Sequence, residues 1–339
     1  MAMGSALSVP CHAEMTTPQP SCSLPPHTHK TSESAMLQPH HHPLFHRPIQ
    51  LGLLMAALCL STGAAHAGEF SNFVGMRFID IPAGNFKMGS CQAASAVVED
   101  SKRRAILGKP PLTTNCPDAD LDALTNEVPQ HLVHVPVFQM GKTEVTLGQF
   151  KRYIIATDGI DTDLVTDDFM KYNPYSDDAP VVHVSWNEAK NFIAWLNKNK
   201  PATDRSTYRL ASEAEWEYTC RAGGNHPYCG SRSVNAVAWF KGNSGNHQQP
   251  VGKKEANAFG VHDMSGNVWE WVEDCYHDDY VGAPANGSAW TDACSSAGRV
   301  LRGGSWKGDA KNVRVANRIG ATAVSRSNFI GFRVVRALP

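Results

Sequence analysis

What most constrains the folding of this chain is a C-terminal cassette: Gly260–Trp271 (GVHDMSGNVWEW), Arg299–Trp306 (RVLRGGSW) and Gly331–Arg333 (GFR), in which glycines stand beside tryptophans and arginines. Glycine reaches left-handed backbone conformations and lets another segment approach closely, while tryptophan supplies a large rigid ring. Such a pattern specifies tight turns packed under aromatic side chains. Neither a helical nor a strand period accounts for it, so this region reads as a shaped, loop-rich surface.

Residues 1–67 do not pattern as folded protein. Residues 1–50 are rich in Pro, Ser, Thr and His without apolar periodicity, the composition of a segment that cannot bury a core. Arg47, the apolar run Leu51–Leu60 and the Ala-His-Ala ending at Ala67 have the order of a secretory signal. With a start at Met36, residues 36–67 form the signal peptide, 1–35 an upstream extension and 68–339 the mature domain. The apolar run is too short for a bilayer, which takes about twenty residues, and no later run is longer. An exported protein, periplasmic or secreted and with no membrane anchor after cleavage, is the expectation. The His40–His42 triplet falls in the segment to be removed and is not read as a metal site.

Cys11, Cys22 and Cys59 precede residue 68, which leaves six of the nine cysteines in the expected domain. These form three sequence-local pairs, Cys91 with Cys116, Cys220 with Cys229 and Cys275 with Cys294. An even count in an exported chain favours disulfides, although six cysteines admit many pairings that spacing does not distinguish. No CxxC or Cys/His spacing suggests zinc. The formal net charge is −1, so there is no electrostatic footprint for nucleic acid.

Along the domain, Phe78–Ser90 alternates apolar residues around a Pro-Ala-Gly turn and reads as a hairpin. Residues 91–127 read as an irregular insertion, and His131–Thr146 as a strand pair. Thr146 with Gln149, Ser185 with Glu188, and Ser212 with Glu215 have capping-box spacing and predict three helix starts. Ala189, Phe192, Ile193 and Leu196 share one face of the second helix. Glu213 and Glu217, a turn apart on the third, read as a solvated face favoured by the helix dipole. His131, His134 and His183 read as structural, and Ser305 lacks the setting of a nucleophile elbow. The pattern as a whole predicts a single loop-rich α+β domain with little regular secondary structure.

IPAGNFKMGS, GKTEVTLGQF, PVVHVSWNEAKNFIAWLN, YRLASEAEWEYTCRAG, NAFGVHDMSGNVWEW, RVLRGGSW and GFRVVR occur in that order between Phe78 and Arg336. Together they resemble the successive signatures of the formylglycine-generating enzyme, or sulfatase-modifying factor, family. The resemblance implies a C-type-lectin-like fold. In well-studied members, copper held by two cysteines uses oxygen to convert a substrate cysteine to formylglycine. Counted from Ser305, those positions fall here on Gly308 and Val313, neither of which can ligate Cu(I), an ion selected by soft thiolates. Copper is therefore not expected. The family calcium site maps onto the carboxylates of Asp263 and Glu270 and the carbonyls of Gly266 and Val268, hard oxygen donors on a tight turn. A second family calcium loop, around Asn243–Gln249, is short here and is not assigned. The family cleft maps onto Trp269, Ser305, Trp306, Asp309, Arg314, Asn317, Arg318 and Asn328.

The resemblance thus implies an exported maturation or modification factor that acts on a peptide or peptide-derived substrate without the copper–dicysteine centre. Members lacking those cysteines include a periplasmic one that acts in oxidative maturation of a pyoverdine chromophore. Two other functions fit the same residues: a non-catalytic, calcium-stabilised binding module, and formylglycine formation at an atypical site.

Overall fold

The computed structural model describes residues 68–91, 94–109, 111, 120–157, 166–292, 294 and 298–339, all within the unit Gly63–Pro339. The leader and Cys116, and with it the Cys91–Cys116 pairing, lie outside the described residues. The strands are β1 (Glu69–Ser71), β2 (Arg77–Ile81), β3 (Gly84–Met88), β4 (His131–Val135), β5 (Phe138–Gly141), β6 (Thr207–Arg209), β7 (Ala238–Trp239), β8 (Ser265–Gly266), β9 (Trp269–Cys275), β10 (Arg299–Arg302), β11 (Arg318–Ala321), β12 (Ile330–Phe332) and β13 (Val335–Ala337). The helices are α1 (Ala94–Ile106), α2 (Leu147–Ala156), α3 (Asp167–Tyr172), α4 (Trp186–Asn199), α5 (Glu213–Arg221) and α6 (Val234–Val237). This is the expected mixed, loop-rich architecture. The insertion after Cys91 is less irregular than its sequence suggested, since it carries α1.

One sheet has the strand order β1-β2-β5-β13-β6 and is antiparallel throughout; a second, β11-β10-β9-β12, ends in a parallel pair. The hairpin expected over Phe78–Ser90 does not form, and neither does a pairing of β4 with β5. Instead β2 pairs with β5 (Phe78↔Gly141, Ile81↔Phe138), and β3 with β4 (Gly84↔Val135, Met88↔His131). Both pairings share one register, and carrying it across the gap sets Pro82 against Val137 and Ala83 against Pro136. Proline has no N–H to give a ladder. Two prolines at adjacent levels, one on each strand, therefore cut a single long ladder into parts of different sheets.

Alternation along the strands supplies two cores, one on each face. Phe78, Trp271, Leu301 and Val334 join one hydrophobic cluster with α2 and α4, whereas their neighbours Ile79, Val272, Val300 and Val335 join another around Trp216. All three capping boxes form as predicted, at Thr146, Ser185 and Ser212. The predicted apolar face of α4 is buried, with Phe192 stacked on Phe150 at 5.4 Å between ring centroids. The Cys220–Cys229 and Cys275–Cys294 disulfides are present. Among the described residues no helix is long and apolar enough to cross a membrane.

Candidate functional site

The solvated face expected for α5 is instead an internal anchor. Glu213 and Glu217 are 2% and 0% exposed. Arg318 donates to both Glu213 oxygens at 2.7 and 2.9 Å, Tyr280 adds its hydroxyl at 2.9 Å, and Arg302 donates to Glu217 at 2.5 Å. Burial alone would raise the Glu213 pKa, but Arg318 and Arg302 outweigh it and hold the carboxyl below its usual range. Asp274 accepts the Glu213 and Trp290 backbone N–H groups at 2.7 and 2.8 Å. Burial and the nearby Glu213 charge push its pKa up to about 7. The arginines of the cassette are thus struts that fix its turns to α5 and β9.

Glu270 is held in the same way. Its oxygens accept from Arg333 Nε and Nη2 at 2.6 and 2.7 Å, and from the Trp216 indole at 2.7 Å. Just upstream, Asp263, Gly266 and Asn267 all have left-handed backbone. A side chain at Gly266 would collide with the Trp239 carbonyl, so this turn can pass only with glycine there. Asp263 Oδ2 accepts the Gly252 N–H at 2.6 Å, while Oδ1 is buried without a partner. Both oxygens of Glu144 are also buried and unpartnered. Burial, with Asp263 beside it, pushes the Glu144 carboxyl well above the usual carboxylate range, and burial raises Asp263 too.

Unused hard oxygens in the interior are what a calcium ion takes up. The side-chain donors left open at this turn are those of Asp263 and Glu144, whereas Glu270 already accepts three N–H bonds. Val268 is fully buried directly after the Gly266–Asn267 turn. No three or more His, Cys, Asp or Glu side chains converge as a metal centre among the described residues. A cation here would therefore draw on backbone carbonyls, those of Gly266 and Val268 included. Glu144 was missed in the sequence. Its only signal is an acidic residue two positions before the helix cap Thr146, in GKTEVT.

Gly303 and Gly304 turn the chain into the segment that would carry the copper thiols. Trp306 N–H bonds the Asn267 carbonyl at 2.7 Å and its indole the Asn328 carbonyl at 3.2 Å, tying this loop to the Asp263 turn. Gly308 is half-buried and closes onto the Ser305 carbonyl at 2.9 Å; Val313 is fully buried. The eight cleft positions differ in burial and partners. Trp269 and Ser305 are buried, with Trp269 in a core cluster; Asp309 is exposed and lies 3.5 Å from Lys241; Arg318 is the internal strut already described.

Arg314 and Asn317 do reach cavities. Arg314 separates a cavity of about 300 Å³, which includes Arg221, His226 and Arg232, from one of about 270 Å³ formed by Leu121–Leu124, Lys311, Asn312 and Asn317. It is clamped by Glu127 at 2.7 and 3.1 Å and by Asp120 at 2.8 Å. Of the histidines read as structural, His131 contacts the Pro129 carbonyl at 3.1 Å and His134 the Asn85 side chain at 3.1 Å. The His183 Nδ1 is buried without a partner, and burial lowers its pKa.

Residues 65–338 match the sulfatase-modifying factor enzyme 1-like domain, and the chain belongs to that family. It is 33% identical over 172 residues to the formylglycine-generating enzyme of Streptomyces coelicolor, covering 45% of this chain and 51% of that one. The same identity, over the same length, relates it to the inactive C-alpha-formylglycine-generating enzyme 2 of Bos taurus, covering 49% of that protein. The chain thus spans about half the length of these relatives. The solved structure of PvdO from Pseudomonas aeruginosa is similar with a TM-score of 0.63 and 31% identity, covering 80% of this chain and 98% of that one.

Proposed function

We propose that the chain is an exported maturation or modification factor of the sulfatase-modifying factor family, acting on a peptide or peptide-derived substrate without a copper–dicysteine centre. The observation that carries this reading is the Ser305–Arg314 loop. It keeps the glycine turn and the Trp306 anchor, yet sets a backbone-packed glycine at 308 and a buried valine at 313. That loop ends at Arg314, between two cavities sized for small groups. Calcium, held by Asp263 and the Gly266 and Val268 carbonyls with Glu144 as a further carboxylate, would neutralise the buried acidic turn and fix the floor of this face. Glu270 would contribute only through oxygen lone pairs that Arg333 and Trp216 leave free.

Copper loading tests the central negative. Protein recovered from the export compartment, supplied with Cu(I) and then dialysed against a chelator, should retain no stoichiometric copper. One tightly held ion per chain would overturn the reading and favour an oxidase with an atypical site. The similarity to an inactive C-alpha-formylglycine-generating enzyme 2 favours a second reading, a calcium-stabilised binding module. Capture of a peptide-derived ligand whose mass never changes would support it.

A further inference from the structure

Among the described residues, the ion pairs around α5 leave donors unused on one cavity wall. Arg314 is saturated: Nε bonds the Lys311 carbonyl at 3.1 Å, and its terminal nitrogens bond Glu127, Asp120 and the Asp122 carbonyl. Arg221 is not. Its Nε and Nη2 bond Glu217, at 2.9 and 2.7 Å, and Nη2 also bonds the Gly89 carbonyl at 3.1 Å, whereas Nη1 has no partner among the described residues. Glu217 is shared with Arg302, so it does not fully offset Arg221. On the same cavity, Arg232 is exposed with no acidic partner among the described residues, and His226 Nδ1 is buried without a hydrogen bond. Among the described residues, the one carboxylate on the wall is Asp120, which is committed to Arg314 at 2.8 Å.

We propose that the cavity bounded by Arg221, His226 and Arg232 binds an anionic oxygen group, supplied by the carboxylate of a peptide-derived ligand or by a phosphate. A guanidinium with free N–H groups is the preferred partner for a planar or tetrahedral oxyanion, and a second guanidinium on the same cavity adds further positive charge. His226 lines the same cavity and adds a ring N–H donor. The wall is preset, because Arg221, Asn225 and His226 lie in the loop closed by Cys220–Cys229 and fixed by the Gly224 N–H to the Arg221 carbonyl at 2.7 Å. At about 300 Å³ the cavity takes a head group and a residue or so. The peptide-derived ligand rests on the proposed function; the anion site does not.

Titration calorimetry with N-acetyl-alanyl-alanine, its C-terminal amide and inorganic phosphate tests the proposal. The free acid should bind and the amide should not, with affinity falling as salt rises. Arg232→Ala should weaken binding roughly tenfold, the effect of one charge-assisted bond, with no change in thermal midpoint. Arg221→Lys, which keeps the charge but loses the fork, should weaken it less, and Lys253→Ala, at an exposed lysine that does not line the cavity, should leave it unchanged. Phosphate binding that displaces the acid confirms one shared oxyanion site; phosphate binding alone supports the anion site and removes the peptide ligand. Equal binding of acid and amide, or equal losses for Arg232→Ala and Lys253→Ala, would overturn the site. Neither result touches the copper test, so the two readings fail separately.

Discussion

Arg302 shows what a single side chain does in this fold. It is wholly buried, donates to Glu217 and to the Ala316 and Asn317 carbonyls at 2.8 and 2.7 Å, and lies 3.5 Å from Glu213. Arg302→Met breaks a buried ion pair and leaves Glu217 Oε2 without its donor while Arg221 still holds Oε1, and the loss should be about 3–5 kcal/mol by urea denaturation; a loss below about 1 kcal/mol would show that the strut is dispensable. Asp274 gives a pH signature of definite sign. An unfolded aspartate titrates near 3.9, and here the folded pKa is about 7, so the native state holds the proton more tightly. Stability is then full below about pH 4 and is lost as pH rises through about 7, by up to ~1.4 kcal/mol per unit. Asp274→Asn should flatten that slope, and an unchanged slope would assign the proton elsewhere. None of this was legible locally. Two glutamates a turn apart look alike whether they face water or arginines 85 and 105 residues away.

Elements were legible where their cause is local. Each capping box is a contact between residues three apart, so Thr146, Ser185 and Ser212 announced their helices. Strand partners were not, because the apolar alternation of Phe78–Ser90 is the same whether it pairs with itself or with His131–Gly141. The loop closed by Cys220–Cys229 was readable as a pair of neighbouring thiols. Replacing both with serine should lower stability by about 2–3 kcal/mol on chain-entropy grounds, read as a drop in thermal midpoint. The Asp263–Glu270 turn makes a separate prediction. Added after chelation, calcium at a hundredfold excess over its Kd should raise the midpoint by about 5 °C or more, and Glu144→Gln should reduce that rise. An unmoved midpoint would count against calcium.

At the scale of the whole molecule, the cassette keeps the scaffold of its family and changes what the scaffold presents. The fold and the family could be read from seven ordered motifs, because tight glycine turns beneath tryptophans leave few alternatives. Six of the eight positions mapped to the cleft, Trp269, Ser305, Trp306, Arg314, Asn317 and Arg318, are buried, which residue type alone does not announce. Oxygen-dependent conversion of cysteine needs thiolates that hold copper beside the substrate sulfur, and Gly308 and Val313 supply none. The most direct test is mass spectrometry of a Cys-x-Pro-x-Arg peptide incubated with the purified protein, copper and oxygen. The peptide should keep its thiol and its mass; robust conversion of its cysteine to the aldehyde would contradict the claim that this chain retains the fold and not the copper reaction.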